Sequence, residues 1–398
     1  MLTGLASTYN VVDVDSHIIE PPDLWTSRVS SKWGDMVPHV SRQGRSNRMR
    51  WIVGDLLLPT VGSLAHAGWH EFPPGHPPTL EEADPACWQA HPRLERLDQY
   101  GIQSQILYPN LVGFQSEVFM KMKERELGLE CVRAYNDFLI DFCSADPTRL
   151  IAVMWLPFWD LEASVSEIRR CAKLGHHGIV FGGDFAAVGL PPIQDPHWDP
   201  LYAEAQEHGL SINFHIGFSD QTAERSREIQ SKVIKDKAGF VRESTLTLLG
   251  NIANIADIIL SGLCHRFPKL NFVSVESGAS YLPFLVEMMD WQWKNSGAYK
   301  TYTDRILPSE YFRRQVYGSF WFESTMLKRT LELFPDNIMF ETDFPHPTSL
   351  SPGPASYAEN PRTVMDKSLS GLSEEIIRKV LHGNAARIYK LPTPAVRM

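Results

Sequence analysis

Short apolar runs separated by stretches of helical period recur along the chain, the pattern of a parallel sheet with crossover helices. The runs lie at Asn10–Val14, Ser104–Tyr108, Leu150–Trp155, Gly178–Phe181, Ser211–Phe214, Asn271–Val275, Ser319–Phe322 and Asn337–Phe340, eight in all. Between them, apolar positions recur three and four residues apart over Glu117–Cys143, Leu161–Leu174, Pro200–His208 and Phe240–Leu260, which predicts amphipathic helices. Eight strands alternating with helices predict an α/β chain closed as a (β/α)8 barrel. Such a barrel takes roughly 250 residues, so a chain of 398 leaves room for insertions.

The alternation fails between Pro38 and Pro92, a stretch rich in Pro, Gly, His and Trp with one strand-like run at Trp51–Leu58. It reads as an insertion, residues 38–92, that follows the first strand and covers the barrel mouth, within one domain spanning 1–398. Gly217–Lys237, after the fifth strand, is a second candidate for such a cover.

Four of the runs stop at residues with chemistry to offer: the first at Asp15 and His17, the fifth at His215, the sixth at Glu276, the eighth at Asp343. In a β/α barrel these C-terminal strand ends converge on the face where sites are built. Asp15 and His17 are two residues apart on a strand, so both side chains point to one side, as two ligands of one metal must. Asp13 points the same way one pleat deeper, which suits support of a ligand. In Glu341-Thr-Asp343-Phe-Pro-His346, Asp343 suits a metal ligand that also accepts a proton from bound water. His346 reads either as a further ligand or as the hydrogen-bond partner that orients Asp343. A lone buried histidine such as His215 is more often a hydrogen-bonded core group, so the signal lies in the set.

Other clusters are weaker. Glu20 sits in a Pro-rich turn and reads as structural, and Asp184 after the fourth strand as a cap. His176 and His177 begin that strand and point to opposite faces. Arg42, Arg45, Arg48 and Arg50 could grip phosphates or a carboxylate, but a solvated charge run is the commoner case.

Composition narrows the picture. An apolar fraction of 43% with 21% charged residues is that of a globular protein, and 20 Phe with 11 Trp predict a large core, an apolar pocket, or both. A net charge of -9 argues against nucleic-acid binding. Five widely spaced cysteines without a C-x-x-C pair predict neither a disulfide framework nor a cysteine zinc site. With no apolar run of membrane length and no signal-peptide pattern, the expectation is a cytoplasmic protein away from membranes. Phosphate-loop, dinucleotide and G-x-S-x-G motifs are absent.

The motifs VVDVDSHIIEPPDLW (Val11–Trp25), NFHIG around His215, HRFPKLNFVSVESG (His265–Gly278), ETDFPH and the closing HGNAARIYKL resemble the amidohydrolase-2 group of the amidohydrolase superfamily. That group includes decarboxylases of the aminocarboxymuconate semialdehyde and resorcylate type. The resemblance runs from about residue 11 to 391 and implies a distorted (β/α)8 TIM barrel with a metal centre. It maps the group's H-x-H pair onto Asp15 and His17, its strand-five histidine onto His215, and its strand-eight aspartate onto Asp343.

The chain departs from the group in two places. Asp15 replaces the first histidine of the pair, and Glu276 stands where the decarboxylases carry a histidine. A carboxylate-rich set stabilises more positive charge and can bridge two ions. With Asp15, His17, His215, Glu276, Asp343 and His346 as six ligands, the pattern is similar to dinuclear iron monooxygenases on this scaffold, such as aminoisobutyrate hydroxylase and a diterpenoid acyl-CoA hydroxylase. The leading expectation is therefore a dinuclear nonheme iron monooxygenase. It would hold two Fe ions, or iron with manganese, and hydroxylate a carboxylic acid or acyl-CoA thioester with O2. The alternative is a mononuclear zinc or manganese hydrolase or decarboxylase, with Asp343 as base and His265 or His346 as acid. A non-catalytic partner subunit is a third reading. A homodimer is implied by the resemblance alone.

Overall fold

The computed structural model describes residues 4–42, 47–182, 185–217 and 237–391. Asp184, Arg45 and all of the Gly217–Lys237 segment but its two end residues lie outside them. The chain divides into two compact units, Met1–His176 with Thr342–Val364, and His177–Glu341 with Met365–Met398.

The first unit holds β1 (Val11–Ile18), β2 (His39–Arg42), β3 (Met49–Val53), β4 (Leu56–Thr60), β5 (Ile102–Pro109) and β6 (Leu150–Ala152). β1, β5 and β6 form a parallel sheet in that order. Every residue of β1 is buried, which is why the sequence there is nearly continuous in Val and Ile apart from its chemical residues. The Leu161–Leu174 helix forms where its period predicts; the Asp160 carboxylate caps it by accepting from the Ala163 N–H at 2.9 Å, and Gly175 ends it at φ 101°. The expected Glu117–Cys143 helix is two, Ser116–Met120 and Arg125–Cys143. Trp25 packs edge-on to Trp51 (5.1 Å between centroids) and against Phe119 (5.5 Å), which in turn meets Trp155 (5.3 Å), so these aromatics are core.

Residues 38–92 carry a small antiparallel sheet in place of the single expected strand. β3 and β4 form a hairpin in which Val53 pairs with Leu56, leaving Gly54 and Asp55 as its turn, and β2 pairs with β3. Gly54 lies at φ 57°, which a two-residue hairpin turn requires. This segment is tied down where His66 N–H and Ala67 N–H both donate to the Pro345 carbonyl, at 2.9 and 3.1 Å.

The second unit holds β7 (Gly178–Phe181), β8 (Ser211–His215), β9 (Phe272–Val275), β10 (Val316–Phe320) and β11 (Ile338–Phe340), parallel throughout in the order β11-β10-β9-β8-β7. All their residues are buried. The expected Phe240–Leu260 helix breaks into Lys237–Leu248 and Asn251–Leu260. The break places Asn251 so that its Nδ2 donates to the carbonyls of Phe214 and Val275, each at 3.0 Å, joining the ends of β8 and β9. The closing HGNAARIYKL motif is structural: Asn384 Nδ2 donates to the carbonyls of Pro335 and Ile338, and Tyr389 Oη to Asn213 Oδ1, each at 2.8 Å. Among the described residues no helix is long and apolar enough to cross a membrane.

Candidate metal centre

β1 alternates its side chains, so Asp13, Asp15 and His17 project to one side. His17 Nδ1 lies 2.8 Å from the Pro109 carbonyl, which can only accept. The ring proton therefore sits on Nδ1 and the Nε2 lone pair faces inward, the tautomer a metal ligand needs. That Nε2 is 3.5 Å from Asp15 Oδ1 and 3.9 Å from Asp343 Oδ1. Asp343 is held by its amide, which donates to the Asp15 carbonyl at 3.0 Å, and by the Thr348 hydroxyl, which donates to Oδ2 at 2.5 Å. His346 places Nδ1 2.7 Å from Asp343 Oδ1 and Nε2 3.3 Å from Asn110 Oδ1, with its ring 3.9 Å from that of His17. His17, Asp343 and His346 thus offer donor atoms within 4.8 Å of one another, all buried.

In the second unit His215 ends β8 with the same device. Its Nδ1 donates to the Ile216 carbonyl at 2.7 Å, leaving Nε2 as the lone pair, 3.3 Å from Glu276 Oε2. Glu276 follows β9, and its N–H donates to Glu341 Oε2 at 3.4 Å. Glu341 follows β11 and is fully buried.

Among the described residues, the non-glycine positions with positive φ are Glu276 (55°), Asp343 (57°) and Lys390 (50°). Two of the three are strand-end carboxylates. A left-handed backbone at such a residue costs about 1–3 kcal/mol and persists where the surroundings impose it.

Thr342, Gln105 and Arg93, which the sequence did not single out, hold this arrangement together with Asp13. Asp13 accepts from Thr342 N–H at 2.8 Å, from Thr342 Oγ1 at 2.5 Å and from Gln105 Nε2 at 2.7 Å. Arg93, fully buried, donates to the His17 carbonyl at 2.7 Å and to Gln105 Oε1 at 3.3 Å, and lies over the Phe344 ring. Burial lowers its pKa to about 10.

The electrostatics call for a cation. Burial pushes the Asp15 carboxyl well above the ordinary range, and the negative charges of Asp343 and Asp13 push the same way. Asp13 rises to about 7 because burial outweighs its hydrogen bonds from Thr342 and Gln105. An ion among these groups reverses that penalty. Imidazole nitrogen with carboxylate oxygen and no thiolate suits zinc or manganese; the residues present fit a divalent cation.

The amidohydrolase family model matches residues 12–391. The chain belongs to this family. An amidohydrolase of Mycobacterium avium subsp. paratuberculosis K-10 shares its fold at a TM-score of 0.73 and 21% identity, over 96% of this chain and 99% of that one. The fold is the α/β amidohydrolase fold of the (β/α)8-barrel class, as expected. A γ-resorcylate decarboxylase of Rhizobium radiobacter is 27% identical over 266 residues, 64% of this chain and 76% of the relative. Other curated relatives are also decarboxylases. A dihydroxybenzoic acid decarboxylase of Polaromonas sp. JS666, with bound manganese and the inhibitor 2-nitroresorcinol, has a TM-score of 0.60 at 20% identity, over 96% of this chain and 97% of that one.

These relatives overturn the expectation of a dinuclear iron monooxygenase, and they lend no support to two Fe ions. That expectation rested on counting six ligand-type residues. In a sequence, a carboxylate or imidazole that orients a neighbour or meets substrate looks the same as one that holds a second ion. His346 shows the ambiguity: one nitrogen lies against Asp343 and the other against Asn110, while it offers a donor atom within 4.8 Å of those of His17 and Asp343.

The remaining candidates lie elsewhere. Glu20 is buried and caps a helix start, Oε1 accepting from the N–H groups of Asn110 (3.0 Å) and Leu111 (2.8 Å). His265 is engaged with Tyr311 Oη at 3.0 Å and Asp304 at 3.3 Å, before β9 begins, which removes it as the acid. Arg50 donates to the Leu58 carbonyl inside the hairpin. His176 donates to the Asn136 carbonyl and His177 to that of Tyr389.

Proposed function

We propose that the chain is a metal-dependent decarboxylase of a small-molecule carboxylic acid, with Asp15, His17 and Asp343 holding one divalent cation, manganese or zinc, and His215 presenting the same ring lone pair in the second unit. The observation that carries this reading is the shared state of His17 and His215. Each spends Nδ1–H on a main-chain carbonyl and turns Nε2 toward a carboxylate. Both sit at strand ends that the resemblance maps onto the family's ligand positions, and the curated relatives are decarboxylases.

The cation would supply Lewis-acid polarisation of the substrate's oxygens. In the overall change the bond between the substrate carbon and its carboxyl breaks, CO2 leaves with the carboxyl carbon, and a proton takes its place. Asp343 is the residue to hold that proton, and His346, 2.7 Å away, is placed to exchange it. Glu276, in place of the group's histidine, would face the substrate as an acceptor, favouring acids with a hydroxyl or amino group beside the carboxyl. The insertion at 38–92, tied to Pro345 next to these residues, would cover the bound substrate.

The test uses protein loaded separately with manganese and zinc, and a panel of hydroxy- and aminobenzoates labelled at the carboxyl carbon. Labelled CO2 release that needs about one metal per chain and is unchanged under anaerobic conditions is expected. Release undiminished after complete metal removal, or hydrolysis of amides and esters with no CO2 from any acid, overturns the reading.

A further inference from the structure

We propose that Asn251 is a positioning residue: its amide nitrogen sets the approach of Glu276 to His215, and through that pair the orientation of the bound substrate. The second half of this rests on the decarboxylase reading, in which Glu276 faces the substrate.

β8 and β9 run parallel with His215 opposite Val275, so these two side chains point to one side of the sheet. Simple alternation would send the next side chain, that of Glu276, to the other side. Yet Glu276 Oε2 lies 3.3 Å from His215 Nε2. The left-handed turn at Glu276, φ 55°, breaks the alternation and brings the carboxylate back. A residue with a side chain keeps such a backbone only where its surroundings impose it.

The break between the Lys237–Leu248 and Asn251–Leu260 helices supplies that hold. On the near side of Glu276, Asn251 Nδ2 donates to the Val275 carbonyl at 3.0 Å; on the far side, the Ser277 hydroxyl donates to the Leu248 carbonyl. Asn251 Nδ2 also donates to the Phe214 carbonyl at 3.0 Å. One nitrogen thus meets the peptide unit that leads into each member of the pair. Its identity follows from the neighbours, because Oδ1 accepts from Asn254 Nδ2 at 3.2 Å while Nδ2 faces carbonyl oxygens. Glu341 and Glu323 brace the same turn, accepting from the N–H groups of Glu276, Ala279 and Ser280. Asn251 is the brace that spans both strands, and it is buried.

The experiment compares manganese-loaded wild type with Asn251→Ala and Asn251→Ser, each also combined with Glu276→Ala. In the crystal structure of Asn251→Ala, or of Asn251→Ser should the alanine variant not fold, Glu276 is expected to leave the left-handed region and its carboxylate to move out of hydrogen-bond reach of His215. With labelled hydroxy- and aminobenzoates, kcat should fall about tenfold or more while KM changes less than about threefold, and serine, which keeps one donor, should recover part of the loss. In the Glu276→Ala background the same change should lower kcat less than about twofold, although it lowers the melting temperature as much as in wild type. An unchanged Glu276 backbone and His215 separation overturns the proposal, whatever the activity. So does a kcat loss that persists in full without the Glu276 carboxylate. A wild type that releases CO2 from no acid overturns the decarboxylase reading alone, because the crystal structures still decide what Asn251 positions.

Discussion

Asp13 accepts both the backbone N–H and the hydroxyl of Thr342, at 2.8 and 2.5 Å, and so fixes the residue immediately before Asp343. Groups that orient a metal ligand typically change metal affinity 10–100-fold when removed. Thr342→Val keeps the size and deletes the hydroxyl. It is expected to weaken manganese binding by about that factor in titration calorimetry, and to cost about 1–3 kcal/mol of stability because the buried Asp13 carboxyl loses a donor. Wild-type affinity in this variant would show that Asp343 is positioned by other means.

The buried carboxylates make the metal-free protein less stable than it could be. Asp15→Asn removes one anion from a site where burial and the charges of Asp343 and Asp13 all oppose it. The variant should lose metal binding, yet melt higher than chelator-treated wild type. Adding manganese should raise the melting temperature of wild type and leave that of the variant unchanged.

His176 sets an acid limit on stability. Burial lowers its pKa to about 4 from an ordinary 6.5, with the ring donating to the Asn136 carbonyl. A depressed histidine favours the neutral form in the folded state. Its contribution is therefore whole above pH 6.5 and lost as the pH falls from 6.5 through 4, about 3 kcal/mol in total. His176→Gln should flatten the dependence of the urea midpoint on pH across that window. An unchanged slope would place the acid sensitivity elsewhere.

Glu20 is 1% exposed and receives the amide N–H groups of Asn110 and Leu111. Glu20→Ala leaves both donors buried without that acceptor, an expected loss of about 2–4 kcal/mol in chemical denaturation. Glu20→Gln retains one acceptor and should cost less. Because Asn110 also meets His346, the alanine variant should lower kcat more than it raises KM.

The eight parallel strands were legible because burial on both faces leaves a dense apolar signature that polar helices interrupt. Helix boundaries were less so. The apolar period runs through the breaks at Lys121–Glu124 and Leu249–Gly250, and only tertiary demands, such as the Asn251 bonds to Phe214 and Val275, show why the second helix stops. The strand-like run at Trp51–Leu58 concealed a hairpin, although Gly54-Asp55 carried the turn signal. At the candidate site, residues with obvious donor chemistry were visible and those that support them were not. Arg93 left a trace: it occupies the buried face of its helix with Leu97 and Tyr100, a row where a charge has no place unless it is bonded. Thr342 and Asn110 left none, because their bonds span more than 200 residues.

The carbonyls of Pro109 and Ile216, which fix the rings of His17 and His215, belong to the main chain. No side-chain substitution can delete them. Substitutions among the side chains around the two imidazoles therefore leave both acceptors in place. Which ring nitrogen keeps its lone pair is thus written into the backbone and not into residue identity.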